Sequence, residues 1–377
     1  MSDPTSTAPT PPATAPVEAP LDLTHVNYEA LTAPITSAQV RAFRAQVKAA
    51  QRADPRIRTG LSTATSIFSI VFLVFFVGVF VTILLVGVIS GLAASGGSDG
   101  FTLVLPLVFV LFFIAIAAIL ISRHFGSGGS WAQWMRLAQF ASDNGLEFRT
   151  GSANPNYSGM IFGIGSSRAA SNHLNSKTGR YFDLGDYQYT TGSGRSRTTH
   201  YWGFLALKLD RELPNMVLDS KENNTLFGSD LPIHLDRDQI LSLEGDFDKH
   251  FTLYCPKEYE QDALYVFTPD LMALLIDDAG SFDVEIVDDW MFIYSPHAFA
   301  PLDAQNYARL FNIVQSVGTK TLSQTANYHD DRIGSATANI VAPQGQRLRH
   351  GTSIGALIIG GVIAAFWLYS FFGGFGN

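Results

Sequence analysis

Three long runs of uncharged, mostly apolar residues stand out in an otherwise mixed sequence, at residues 66–92, 101–121 and 353–372. An α-helix rises about 1.5 Å per residue, so about 20 such residues cross the roughly 30 Å hydrocarbon core of a bilayer. The pattern therefore predicts three transmembrane helices, and the short loop between the first two predicts a helical hairpin over residues 66–121. A buried core helix is the alternative for each run, and the length of the runs disfavours it.

Basic residues are distributed unevenly around these runs. Residues 41–58 are rich in arginine and lysine, the hairpin loop carries only Asp99, and Arg123, Arg347 and Arg349 stand beside the other two runs. Cytoplasmic flanks of membrane helices carry an excess of Lys and Arg. The pattern predicts a multi-pass protein of the bacterial plasma (inner) membrane, with the N-terminus and the large domain in the cytoplasm and the C-terminus outside.

A basic amphipathic helix is predicted just before the first run, within residues 36–60. Thr36 and Gln39 have capping-box spacing, and Val40, Phe43 and Val47 recur at helical intervals. Basic side chains on such a helix suit an anionic membrane surface. The residues assigned to that surface are Arg41, Arg44, Lys48 and Arg52. An ordinary solvated helix, whose charges only set the topology, is the open alternative.

The sequence between the second and third runs predicts one folded domain. It spans residues 126–318, starts with a flexible linker at 126–130 and is followed by a polar linker at 319–350. Helical patterns lie at about 130–145, 268–280 and 303–317, and strand patterns at 181–191, 198–209, 251–254, 263–267, 282–287 and 290–294. This irregular mixture predicts an α+β cytoplasmic domain with a mainly antiparallel sheet. The Pro/Ala/Thr-rich residues 1–35 predict a disordered tail, because they lack bulky apolar side chains.

Composition and charge narrow the class further. The chain is 47% hydrophobic and only 15% charged, and its net charge is −8. The acidic excess lies in residues 122–350, and an acidic domain is poorly suited to bind phosphates, which attract clusters of Lys and Arg, so we predict no nucleic-acid partner. Cys255 is the one cysteine, so the chain forms no intrachain disulfide.

Residues 247–294 resemble a known family. Phe247 and Phe251 precede a strand that contains tyrosine, Thr268 and Pro269 open an apolar helix, and the segment closes on the strand sequence DWMFIY at residues 289–294. With the apolar hairpin ahead of the domain, this segment resembles a family of bacterial membrane proteins that carry a cytoplasmic domain of unknown function, and it looks most like an actinobacterial member. The resemblance implies no catalytic or cofactor-binding residues.

Few residues in the sequence suggest a catalytic or binding role. Cys255 has His250 and His234 in its region of the chain, but no signature ties them together, so a buried structural cysteine is predicted. The GIGSSR sequence at residues 163–168 lacks a third glycine and a Walker lysine, which favours a mobile loop over an anion-binding nest. Acidic pairs and histidines lack metal-ligand spacing, so we predict no metal, no cofactor and no catalytic residues. Residues 258–301 contain no Lys or Arg, which predicts either an acidic face for a cationic partner or a solvated surface.

Small residues recur in the predicted spans, where they let helix backbones approach closely. The positions assigned to helix packing are Gly87, Gly91, Thr352, Ala356, Gly360 and Ala364. The spans contain no ionisable residue, which argues against transport.

The sequence therefore predicts a membrane-anchored cytoplasmic interaction or scaffold module rather than an enzyme. Its expected partners are the lipid bilayer and a protein, either another protein or a second copy of this chain. A membrane-tethered enzyme with an unrecognised active site and an accessory subunit of a transporter are the alternatives.

Overall fold

An antiparallel sheet of seven strands organises the described part of the chain. The structure is a computed structural model, and it describes residues 23–53, 127–224, 229–334 and 338–351. The strands are β1 (Leu146–Ala153), β2 (Ser166–Ser176), β3 (Phe182–Thr191), β4 (Thr198–Ser220), β5 (Ile240–Leu241), β6 (Phe251–Tyr254) and β7 (Asp283–Ser295). Their order is β1-β2-β3-β4-β6-β5, and β7 also pairs with β4.

The 23-residue strand β4 connects the two halves of the sheet. Its first half lies between β3 and β7, so that Leu205 is paired with Leu184 on one side and with Ile293 on the other. Its second half leaves β3 and pairs with β6, where Val217 faces Tyr254. Most residues of β4 are buried on both faces, because both faces of the sheet are covered.

Eight α-helices are described. They are α1 (Glu29–Thr32), α2 (Ser37–Ala53), α3 (Ser127–Asp143), α4 (Phe247–His250), α5 (Glu260–Val266), α6 (Pro269–Ala279), α7 (Ala304–Ile313) and α8 (Thr319–Thr325). A π-helical turn, Val314–Gly318, joins α7 to α8, and short 3-10 turns lie at Met160–Gly163, Gly194–Ser196, Arg237–Gln239, Asp331–Ile333 and Pro343–Gly345.

Helices cover one face of the sheet. Phe140 of α3 lies 5.3 Å from the ring of Tyr307 and 6.2 Å from that of Phe311, both on α7, and Phe182 of β3 lies 6.1 Å from Phe311. Burying each such side chain contributes roughly 1.5–3 kcal/mol. This aromatic cluster joins α3 and α7, which lie far apart in the sequence, to the sheet.

The segment 154–165 covers the opposite face. Phe162 packs against Tyr187 at 4.7 Å and against Phe204 at 5.3 Å between ring centroids. The backbone N–H of Met160 donates a 2.7 Å hydrogen bond to the buried carboxyl of Glu285. The segment is therefore fixed to β3, β4 and β7 by both aromatic and polar contacts.

The structure corrects the membrane prediction. The longest described helices, α2 and α3, have 17 residues, or about 25 Å at 1.5 Å per residue, and both carry polar faces. Among the described residues, no helix is long and apolar enough to cross a membrane. The described part of the chain is an α+β fold with a seven-stranded antiparallel sheet. The predictions of three transmembrane helices, of a membrane protein and of a multi-pass plasma-membrane localisation are therefore wrong. The apolar runs 66–92, 101–121 and 353–372 lie outside the described residues.

Several local predictions are confirmed. The helix expected after Thr36 is α2, and its capping box is present: the Thr36 N–H donates to Gln39 Oε1 at 2.8 Å, and the Gln39 N–H donates to Thr36 Oγ1 at 3.3 Å. Strand β3, the start of β4, strand β6 and helix α6 lie where their patterns placed them. The antiparallel α+β character of the domain is also as expected.

Other local predictions are wrong, chiefly at boundaries. Residues 127–130 start α3 instead of forming a linker, and residues 263–267 lie largely in helix α5 instead of a strand. Asp288 takes φ 53° within the continuous strand β7, so it marks a bulge and not a hairpin turn. Residues 166–168 belong to β2 and not to a mobile loop.

The two segments predicted to be unstructured contribute to the core. Leu31, within the predicted tail 1–35, is 1% exposed. Within the predicted linker 319–350, α8 continues past Gly318, and Leu322, Tyr328 and Val341 are buried. Both segments pack against apolar surfaces of the sheet and helices. Their composition, poor in bulky apolar side chains, did not predict this packing.

Candidate functional site

A β-bulge in β2 aims one histidine at a buried aspartate. The pairing of β2 with β3 shifts register between Ser171 and Leu174, and Asn172 takes a left-handed φ of 55° there. Bulges of this kind redirect side chains and are frequent beside active sites. Here the bulge brings His173 to the face of the sheet that segment 154–165 covers, with its ring 5.9 Å from that of Phe204.

Ser152, His173 and Asp183 form a hydrogen-bonded relay across β1, β2 and β3. Oγ of Ser152 lies 3.1 Å from Nε2 of His173, and Nδ1 of His173 lies 2.9 Å from Oδ2 of Asp183. The histidine and aspartate side chains are only 3% and 1% exposed, whereas Ser152 is half-buried. A carboxylate only accepts hydrogen bonds, so Nδ1 of the imidazole carries a proton, and in the neutral ring Nε2 accepts the Ser152 hydroxyl.

Two further side chains fix the aspartate. The Tyr157 hydroxyl donates to Asp183 Oδ2 at 2.6 Å, and a guanidinium nitrogen of Arg149 lies 4.0 Å from the same oxygen. Burial and the neighbouring Asp183 raise the pKa of Tyr157, so its hydroxyl keeps its proton and acts as a donor. Asp183 is therefore held in one orientation, which in turn orients the imidazole.

A polar cleft forms a second site, between α5 and residues 327–332. Its volume is about 530 Å³. The lining residues are Gln261, Asp262, Tyr265, Asn327, Tyr328, His329, Asp331 and Arg332. The rings of Tyr265 and Tyr328 lie 6.1 Å apart, and the side chains of Leu264 and Tyr265 are among the more exposed large apolar groups. The cleft thus combines aromatic faces with carboxylates.

Arg332 organises the floor of this cleft. One guanidinium nitrogen lies 3.2 Å from Asp262 and another 3.1 Å from Asp330, while the guanidinium carbon stacks 3.8 Å from the Tyr259 ring centroid. The Tyr328 hydroxyl donates to Asp262 at 2.8 Å. Ion pairs, a hydrogen bond and a cation–π contact thus connect the groups in the floor of the cleft.

Buried carboxyls form a third cluster, where β4 and β7 pair. The Ser220 N–H donates to Asp283 Oδ1 at 2.9 Å. Burial raises the pKa of Asp219 to about 6 and those of Asp283 and Glu285 to about 7. In the described ranges, no set of three or more His, Cys, Asp or Glu side chains has the arrangement of a metal site.

The residues that the sequence singled out fall in several places. Arg41, Arg44, Lys48 and Arg52 are exposed on α2, and the Arg44 guanidinium lies 5.4 Å from the Trp131 ring centroid. Their assignment to a membrane surface stays a prediction. The helix-packing positions Gly87, Gly91, Thr352, Ala356, Gly360 and Ala364 lie outside the described residues.

The prediction of a buried cysteine is confirmed. Cys255 is 2% exposed, and burial, with the nearby Glu260 and Asp262, raises the pKa of its thiol to about 12. A thiol with this pKa holds very little thiolate at neutral pH and is a poor nucleophile.

The acidic stretch 258–301 is less uniform than its composition suggests. Asp270, Asp288 and Asp289 pair with Lys320, Arg347 and Lys208, respectively, all from outside the stretch. Asp283 and Glu285 are buried. Asp262 and its α5 neighbours Gln261 and Tyr265 line the polar cleft.

The serine relay was not found from the sequence. Its members come from three strands, and only β3 was among the predicted strands. The available signal was Asp183, one of two aspartates on a strand that is otherwise free of charged residues. A buried charge requires a partner, but no sequence spacing names Ser152 or His173 as that partner.

The described fold and its sites define an α+β protein with an antiparallel sheet, a Ser-His-Asp relay and an acidic, aromatic cleft. A faint likeness is found to the crystal structure of the mycobacterial trehalose monomycolate transport factor A, with TM-score 0.35 and 11% identity, covering 51% of this chain and 94% of that chain. A likeness this weak carries no argument about function. No family model and no curated protein matches the chain, so the family resemblance seen in the sequence stays a prediction.

Proposed function

We propose that this chain is a protein-interaction module, and that its cleft between α5 and residues 327–332 binds a segment of a partner protein that presents a Lys or Arg side chain. The observation that carries the proposal is the pairing of the Tyr265 and Tyr328 rings with carboxylates in one open cleft. A cation over an aromatic face gains roughly 0.5–2 kcal/mol, and a carboxylate beside the ring adds to the attraction.

The charge of the cleft supports a cationic side chain. Two carboxyls, Asp262 and Asp331, line the cleft beside the single guanidinium of Arg332, and a third, Asp330, is buried behind it. That guanidinium is already held by Tyr259 and by two of the three carboxyls. The Asp331 side chain is 90% exposed and its described partner is His329, so it is available to an incoming charge.

Site-specific photo-crosslinking tests this proposal in cells that express the full chain. A benzophenone amino acid is placed at Tyr265, and a matched probe replaces Tyr201, another exposed tyrosine. We expect one discrete adduct from position 265 that is absent from position 201, with the crosslinked partner peptide containing Lys or Arg.

A charge reversal distinguishes the cleft from general adhesion. Asp331→Lys should lower the adduct yield at least about fivefold, the effect of losing about 1 kcal/mol of attraction. Asp210→Lys, which changes the charge of another exposed aspartate, should leave the yield unchanged. Equal yields from positions 265 and 201, or an adduct that is insensitive to Asp331→Lys, would contradict the proposal. An adduct between two copies of this chain would show that the partner is a second copy and not a different protein.

A further inference from the structure

We propose that Ser152 is a nucleophile activated by His173 and Asp183, and that this site transfers the acyl group of a small carboxylic ester to water. The proposal is independent of the cleft, which lies on other elements of the fold. It rests on the relay distances of 3.1 Å and 2.9 Å and on the bulge that creates them.

Each group has the position that its role requires. A serine hydroxyl is a weak nucleophile until an adjacent base accepts its proton. Nε2 of His173 is within hydrogen-bond distance of Oγ, and Asp183 holds the imidazole in the tautomer that leaves Nε2 unprotonated. Tyr157 acts only through Asp183, so it is a positioning residue.

Two steps complete the reaction. In the first, Ser152 Oγ bonds to the ester carbonyl carbon, its proton moves to His173 Nε2, and the ester C–O bond breaks as the alcohol leaves with that proton. In the second, a water molecule gives a proton to His173 and attacks the acyl-serine, which releases the carboxylic acid and returns the proton to Ser152. No oxidant or reductant is needed, and water is the one co-reactant.

The surroundings of Ser152 favour a small ester. Ser152 lies near the end of β1, the terminal strand of the described sheet, and is half-buried, whereas the other two members of the relay are covered. Its chain neighbours are Gly151 and Ala153, Ala170 is paired with it across the ladder, and Ala169 is paired with Ala153. These small side chains leave room for a carbonyl to approach Oγ. The Asn154 N–H donates to the Arg168 carbonyl of β2, so strand alternation turns the N–H of Ala153, the residue after the nucleophile, away from β2, and this N–H is the proposed oxyanion donor.

The decisive experiment uses the purified full chain and a fluorophosphonate probe, which loses fluoride when an activated serine attacks its phosphorus atom. Mass spectrometry of the labelled chain should place the adduct on Ser152. The same preparation should hydrolyse p-nitrophenyl acetate, and Ser152→Ala should remove both signals.

Matched variants separate activation from mere accessibility. Ser171 is also half-buried and lies on the neighbouring strand, opposite Gly151, so Ser171→Ala should leave labelling intact. His173→Gln should lower the labelling rate at least about 100-fold, the usual minimum effect of a general base. Folded wild-type chain that gives no Ser152 adduct would overturn the proposal even if the His173 variant does not fold. Equal labelling of wild type and a folded His173→Gln would also overturn it.

Discussion

The indole N–H of Trp134 donates a 3.0 Å hydrogen bond to Oδ1 of Asn172, and so connects helix α3 to the bulge of β2. Nδ2 of the same asparagine donates to Asp186 Oδ2 at 2.7 Å. The residue that interrupts the strand is thus held from both sides, and the next residue along the chain is His173. The orientation of the relay therefore depends on a contact with a helix that lies far from Asp183 in the sequence.

Replacement of Asn172 should destabilise the fold. Asn172→Ala removes both hydrogen bonds and places an alanine at φ 55°, so the free energy of unfolding should fall by about 2–4 kcal/mol. Asn172→Gly loses the same hydrogen bonds but tolerates this backbone conformation, and should cost about 1 kcal/mol less than alanine. Urea unfolding followed by tryptophan fluorescence measures both. Equal losses would show that backbone strain is absent at this position.

The buried carboxyl of Asp283 should make stability depend on pH. Burial raises its folded-state pKa to about 7, above the ordinary value of 3.8, so the folded chain binds a proton more tightly than the unfolded chain. The stabilising contribution is therefore complete below about pH 4 and is lost as the pH rises toward 7 and beyond. Asp283→Asn keeps an acceptor for the Ser220 N–H and should raise stability at pH 8 by up to about 4 kcal/mol, at about 1.4 kcal/mol per pKa unit.

Denaturation at pH 5 and pH 8 checks this sign. The difference in the free energy of unfolding between the two pH values should shrink in Asp283→Asn. Asp270→Asn is the control, because a hydrogen bond with Lys320 lowers the pKa of Asp270, which is exposed. The raised pKa of Asp283 would be contradicted if the wild-type chain became more stable from pH 5 to pH 8 and Asp283→Asn changed in the same way.

Gly345 should tolerate no side chain, because it packs directly on the ring of Tyr259 in the floor of the cleft. Gly345→Ala would push against that ring, which is fully buried, and should lower the free energy of unfolding by about 1–3 kcal/mol. Gly163→Ala is the matched control, since a Cβ there meets nothing within 4 Å. Thermal unfolding of both variants measures the effect, and equal midpoints would mean that residues 338–351 do not pack on the fold as described.

Cys255 should react with thiol reagents only when the chain unfolds. Its raised pKa and its burial both suppress the thiolate, so modification by a disulfide reagent should be at least about 100-fold slower in the native chain than in urea, since each pKa unit reduces the thiolate tenfold. Ser193→Cys places a second thiol on an exposed turn and should react at once. Rapid modification of Cys255 in the native chain would show that this region opens readily.

The sequence by itself determined those elements whose signal is local. The capping box of Thr36 and Gln39, the pattern of β3 and the Thr268-Pro269 start of α6 each depend on residues within a few positions of one another. The irregular order of helices and strands along the chain was enough to predict an α+β fold with an antiparallel sheet. Burial of Cys255 also followed, because a lone apolar thiol without a signature is most often part of a core.

Only the tertiary structure decided the rest, because the deciding contacts join distant parts of the chain. Asp288 lies in a continuous strand because β4 pairs with β7 on both sides of it, and the helix continues past Gly318 because α8 packs on the same core as α7. Ser152, His173 and Asp183 meet only through the register of three strands and one bulge. A hydrophobic pattern specifies which face of a strand is buried, but the register of pairing, which determines the side chains that meet, is a property of the whole sheet.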